Sequence, residues 1–415
     1  MNCKSRRARI GRYIVRKLWT TVALFGLMLS MPAYADVTDD VVKIAVLDDM
    51  SGVYSDANGL GGVLAARMAI EEFGGTVLGK PIKLIHGDHQ NKPDIGMSIA
   101  RRWFDVENVD MIAGLGNSAV ALAVQQLSKD RNKINLISGS GATDLTGRAC
   151  SPNGVHWTYD NYSLAKGTGS AVVKNGGDKW FFLTADYTFG HSLEENTAAV
   201  VKEAGGKILG SARHPLNTAD FSSFLLTAQA SGANVLGLAN AGNDMVNAIK
   251  QAAEFGLNRS GIHFAGLLVT TTDVHGLGLA AAQGLMFTTP FFRSMNDEAR
   301  SWSDRFLASH GAAPTALQAG VYSATLHYLK AVKAAGTDET QAVLAKMREL
   351  RVNDFMTKDG YIRKDGRLMR DMYLVRVKSP AKSTGPWDYL ELVSNIPSAE
   401  AFRAPAADCP LNAQN

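Results

Sequence analysis

The chain has 415 residues, 46% of them apolar and 20% charged, with a formal net charge of +4. That length suits two ordinary domains, and that composition belongs to a globular protein, not to a fibrous or disordered one. The basic excess lies in residues 1–17, which carry seven Lys/Arg and no acid; without them 36 basic residues face 39 acidic ones, a net charge of −3, and nucleic acid is thereby disfavoured as a partner.

The first segment in chain order reads as an export signal. After the basic start comes an apolar stretch from Leu18 to Met31, then Pro32, Ala33, Tyr34 and Ala35. Ala33 and Ala35 fit the small-residue cleavage pattern, so residues 1–35 are expected to be a signal peptide cut before Asp36. The stretch is too short for a membrane-spanning helix, and Cys3 lies far from the cleavage point. The expected location is the periplasm. Two cysteines then remain, Cys150 and Cys409, and an oxidising compartment makes a disulfide between them the default.

From Val41 to about Pro290, apolar strand runs alternate with helical patterns. The strands are expected at 41–47, 81–87, 109–113, 134–137, 179–185, 206–212, 234–240 and 262–269. Helices are expected at 63–73, 95–106, 120–128, 162–175, 192–205, 222–232 and 244–256. Such alternation predicts an α/β fold of doubly wound sheets. The pattern breaks at 150–161, which reads as a crossing segment. A strand at 285–292, helices at 297–311 and 316–336, and a strand at 370–378 follow. Two α/β lobes with a cleft between them are the expected architecture. The lobes are drawn as 36–160 with 287–370 and 161–286 with 371–396, and 397–415 as a C-terminal tail held by Cys409.

Three strand-to-helix joints consist of small hydrogen-bonding residues: DDMSGVYSDANGLGG (48–62), GLGNSA (114–119) and SGSGATDLTG (138–147). Joints at the carboxyl ends of parallel strands are where open α/β sheets bind ligands. Backbone N–H groups and hydroxyls at helix N-termini suit a carboxylate. None of the joints holds a nucleophile–base pair, so the reading is a binding site and not an active site. Residues 74–80 match a phosphate-loop skeleton, but Pro81 stands where Ser/Thr is required. GLGNSA matches a dinucleotide fingerprint, yet no acid closes the next strand. His86 and His89 flank Asp88 without the spacing of a metal site. Ser118 and Ser140 lack a nucleophile elbow. No cofactor or metal is expected. Aromatic residues gather at the crossing segment (Trp157, Tyr159, Tyr162) and in ADYTFG (Tyr187, Phe189); the first two suit hinge or core packing as well as a ligand.

These segments, together with GGTVLGKPIKL, GDHQNKPDIG, DFSSFL and KQAAEFGL in this order, resemble the type I periplasmic solute-binding proteins of ABC importers, the leucine/isoleucine/valine-binding group. The resemblance covers nearly all of the mature chain. It implies lobes joined by three crossings that close on a ligand like a hinge, a monomer, and delivery of a small carboxylate to membrane permease subunits. It assigns the carboxylate to Asn117 and Ser118, with Ser140, Gly141, Ala142 and Thr143 from the third joint. It places Tyr187 and Phe189 in the cleft, Phe221 on its wall, and Asp244 opposite an α-amino group; Asp244 equally suits the dipole at its helix start. Asn240 belongs to ANAGND, which is smaller than in typical branched-chain binders. Tyr54, Tyr187 and Phe189, with Tyr162 nearby, are placed to sandwich a ring. Relatives with similar segments include binders of aromatic carboxylates. The ligand is therefore an amino acid or an aromatic acid. A sensing receptor on the same fold is the alternative, and an enzyme the remote one.

Overall fold

The computed structural model describes residues 37–412; the expected signal peptide and its cleavage point lie outside them. Chain order gives β1 (Val42–Asp48), α1 (Gly59–Phe73), β2 (Thr76–Val77), β3 (Lys80–Asp88), α2 (Pro93–Asp105), β4 (Met111–Gly114), α3 (Ser118–Asp130), β5 (Ile134–Ile137) and β6 (Gly154–His156). These strands form one sheet in the order β2-β3-β1-β4-β5-β6, parallel except for the β2–β3 hairpin. Next come α4 (Asn161–Lys174), β7 (Lys179–Ala185), α5 (Thr188–Glu203), β8 (Lys207–His214), α6 (Ser222–Ala230), β9 (Val235–Ala239), α7 (Gly242–Glu254) and β10 (His263–Gly266). Their strands form a second parallel sheet, β10-β9-β7-β8.

The remainder is α8 (Thr271–Leu277), α9 (Leu279–Ala282), β11 (Met286–Thr289), α10 (Asp297–His310), α11 (Ala316–Ala335), α12 (Thr340–Glu349), β12 (Tyr361–Ile362), β13 (Leu368–Met369), β14 (Met372–Val377), β15 (Leu390–Ile396) and α13 (Ser398–Ala401). β11, β14 and β15 make a small antiparallel sheet; β11, which straddles the 286/287 position drawn from the sequence, is thus paired with β14. Central strands such as MIAG and VLGLA are buried along their whole length, as strands covered on both faces must be.

α1 begins at Gly59, four residues before the expected start. A Cβ at Gly61 would stand 2.2 Å from Nε2 of Gln318, and one at Gly62 would touch Val321. The glycines let α1 lie directly against α11, and that packing outweighs their poor helix propensity.

In both parallel sheets the strand order reverses beside the first strand, between β1 and β4 and between β7 and β9. Loops leaving adjacent strands in opposite directions open a crevice there. Among the described residues the chain makes three passages: out of the β1 sheet after β6, out of the antiparallel sheet after β11, and back into that sheet after β13. Two fully buried arginines of the third passage bind the other two: Arg367 Nη1 donates to the Tyr159 carbonyl at 2.8 Å and Arg370 Nη2 to that of Pro290 at 2.6 Å. Burial lowers both guanidinium groups to about 10, so they stay charged at neutral pH. Cys150 and Cys409 form the expected disulfide. Along the tail, Phe402 packs under the Arg367 guanidinium.

Candidate functional site

The loop after β1 is built on Asp49. Its buried carboxylate accepts the amides of Gly52 (2.8 Å) and Tyr54 (2.9 Å) and the Asn91 side chain (2.5 Å). This folds residues 50–54 into a compact turn and carries the Tyr54 ring inward. Neighbouring Asp48 accepts the Gly116 amide at 2.7 Å through Oδ1, and its Oδ2 has no partner. Burial lifts the Asp48 carboxyl well above the ordinary carboxylate range.

The loops at the two strand-order reversals meet around a small cavity of about 20 Å³, room for roughly one water molecule. Its wall comprises Tyr54, Ala57 and Asn58 after β1, Gly116 after β4, Gly139 after β5, Tyr187 and Phe189 after β7, and Ala241 and Gly242 after β9. Leu268 and Thr270 follow β10, and Leu317 comes from α11. None of these side chains carries a charge. Tyr187 donates to the Tyr54 hydroxyl at 3.0 Å and its ring lies 6.0 Å from that of Phe189. Burial pushes both phenols above their ordinary range, so both stay neutral. The Asn58 amide is packed over Gly116 and Gly139, where any Cβ would come within 2.5 Å of it.

Of the residues singled out from the sequence, Tyr54, Tyr187 and Phe189 reach this wall. Ser118 and Ser140 lie behind it, fully buried, Ser140 Oγ donating to Ser118 Oγ at 2.9 Å. Asn117 caps α3, its Oδ1 accepting from the amides of Ala119 and Val120. Gly141 and Ala142 are not on the wall. Thr143 turns toward α5, 3.4 Å from Ser192 Oγ. Tyr162 is half-buried on the first turn of α4. Phe221 packs edge-on against the His214 ring, 4.9 Å between centroids, and Asn240 Nδ2 meets His214 Nε2 at 3.0 Å. Asp244 is 2% exposed and accepts the amides of Asn217 (3.2 Å) and Thr218 (3.1 Å); burial raises it to about 6.

Sequence reasoning missed Ala57, Asn58, Gly116, Gly139, Ala241, Gly242, Leu268, Thr270 and Leu317 as wall residues. Asn58 lies within the first joint (48–62) and Thr270 follows a parallel strand, so position alone signalled both. Leu317 sits in the first turn of a long helix that reads as core.

A model of the periplasmic binding protein family matches residues 41–385. The chain belongs to that family. A periplasmic binding protein from Burkholderia mallei shares 50% identity over 90% of this chain and 99% of its own, with a TM-score of 0.88. A branched chain amino acid ABC transporter periplasmic ligand-binding protein from Burkholderia xenovorans shares 40% over 88% and 99%, TM-score 0.78. Leu/Ile/Val-binding protein homolog 4 of Brucella abortus is 26% identical over 65% of this chain and 67% of its own length. A solute binding protein of R. palustris in complex with benzoate has the same fold at 18% identity over 89% and 98%, TM-score 0.78. Membership of this family implies a periplasmic location.

Proposed function

We propose that this protein is exported by residues 1–35, captures an aromatic or hydrophobic monocarboxylate between two lobes, and delivers it to the membrane permease of an ABC importer. One lobe is built on the sheet around β1 and the other on the sheet around β7 together with the β11-β14-β15 sheet. The two divide near residues 160, 290 and 370.

The observation that carries this reading is the cavity wall. It offers three aromatic rings, Leu268, Leu317, one side-chain amide on Asn58, and no acid. Rings favour offset or edge contacts with an aromatic ligand, and an amide N–H bonds well to a carboxylate. An α-ammonium needs an acidic partner inside a desolvated site. Asp244, the expected one, lies outside the wall and already accepts two backbone amides. The benzoate complex of the R. palustris relative supports an aromatic acid, whereas the names of the Burkholderia xenovorans and Brucella relatives point to amino acids. In this reading Tyr54 and Tyr187 part to admit the ring and close over it.

The test is a thermal-shift panel on residues 36–415 with benzoate, 4-hydroxybenzoate and cinnamate against leucine, isoleucine and valine. A ligand that binds only the native state raises the melting temperature by mass action. Shifts confined to the aromatic acids support the proposal. A leucine shift that disappears in Asp244→Asn overturns it.

A further inference from the structure

We infer that Gly242 is the seat of an interlobe latch: the Val53 carbonyl docks on the N-terminus of α7, and only a residue without a side chain at 242 lets it arrive. The inference rests on the reading of a cleft that opens and closes. Its observations are separate from those that concern the ligand.

Asp49 gathers the amides of residues 52 and 54, and this turns the intervening carbonyl of Val53 outward, away from the first sheet. The Asn243 amide, in the first turn of the 13-residue helix α7, donates to it at 3.2 Å. The first amides of a helix have no partner within it, so a carbonyl from the opposite side of the cavity fills a vacancy that the open cleft leaves to water. Gly242 lies directly in the way. A Cβ built there stands 2.3 Å from the Val53 oxygen and 3.2 Å from the Tyr54 ring. The first contact is with backbone, which cannot turn aside as a side chain can. The residue also has φ +59°, the left-handed region that glycine enters without cost. Beside it, the Tyr54–Tyr187 bridge closes the same seam. The latch uses backbone atoms of Val53 and Asn243, so its strength is independent of their side chains.

The experiment traps the seam with cysteines. Val53→Cys and Asn243→Cys are introduced together into residues 36–415 with the native disulfide intact, and formation of the new crosslink under mild oxidant is followed by peptide mass mapping. The latch predicts rapid crosslinking with Gly242 in place and a rate at least tenfold lower in Gly242→Val. Gly311→Ala is the control, because Gly311 has φ +82° with nothing within 4 Å of a Cβ; it carries the backbone strain without the collision and is expected to crosslink like the parent. A cooperative urea transition in each variant establishes that it is folded. Equal rates with and without the valine overturn the latch. Benzoate is then added: acceleration of the crosslink in the Gly242 form supports both readings, and a missing acceleration counts against the aromatic ligand while the valine comparison still decides the latch.

Discussion

The Tyr187 hydroxyl donates to the Tyr54 hydroxyl across 3.0 Å, so the loop after the first strand of one parallel sheet meets the loop after the first strand of the other. Tyr54 is buried and Tyr187 half-buried beside the cavity, and desolvation raises both hydroxyls above their ordinary range. Both hydroxyls therefore stay protonated at neutral pH. Tyr187→Phe removes one neutral hydrogen bond, worth about 1 kcal/mol, and should weaken binding of an aromatic acid about fivefold. Tyr187→Ala also removes the ring and should cost about 3 kcal/mol or more. Calorimetry on the two variants separates bridge from ring; equal losses would show that the ring makes no ligand contact.

Asn58 and Ser118 should differ in their importance to the ligand. Asn58 lines the cavity, whereas Ser118 lies off its wall and its Oγ already receives Ser140 Oγ. Asn58→Ala should weaken carboxylate binding by about 2 kcal/mol, the range of a bond to a charged group. Ser118→Ala should cost about 1–2 kcal/mol of folding stability and leave binding little changed, because the hydroxyl lost is one member of a buried pair. A larger effect at Ser118 in isothermal titration would move the carboxylate toward the start of α3.

Asp244 gives a pH signature. Its carboxyl is raised from the ordinary aspartate range to about 6 by burial. A raised folded-state value means that the group stabilises fully below the unfolded value and that this contribution is lost as pH rises through about 6. A shift of that size corresponds to about 3 kcal/mol. In urea titrations at pH 4 and pH 7, the stability of the wild type relative to Asp244→Asn should fall by up to that amount. A difference independent of pH would mean that the folded and unfolded values coincide.

The Cys150–Cys409 bond closes a separation of 259 residues. Chain entropy for so long a loop gives an upper bound of about 5–6 kcal/mol. Phe402 and Arg403 hold the same tail without it, Arg403 donating to the Thr143 carbonyl at 2.6 Å. Cys409→Ser should therefore lower the urea midpoint strongly while the protein still folds. An unchanged midpoint would show that the unfolded chain is already compact across this separation.

Much of the fold was legible because buried parallel strands appear as unbroken apolar runs with few competing readings. β1, β4, β5, β7 and β9 lie within a residue or two of their expected places. The start of α1 was not legible, because its glycines answer to the surface of α11 and not to local propensity. α12 and β15 were also missed; β15 is an edge strand with exposed Leu392 and Val393, and it carries no buried alternation to read. Of the expected residues, Tyr54, Tyr187 and Phe189 line the cavity, as aromatic residues carried by strand-to-helix joints. The glycines of the wall were not legible, since a missing side chain becomes informative only once its neighbour, such as Asn58 or Val53, is known.

The most direct test of the account is isothermal titration of residues 36–415 with benzoate and, separately, with leucine. The account predicts saturable one-to-one binding of benzoate, weakened by Asn58→Ala and Tyr187→Ala, and no saturable heat with leucine. Saturable leucine binding that Asp244→Asn abolishes, with no heat from benzoate, would contradict it.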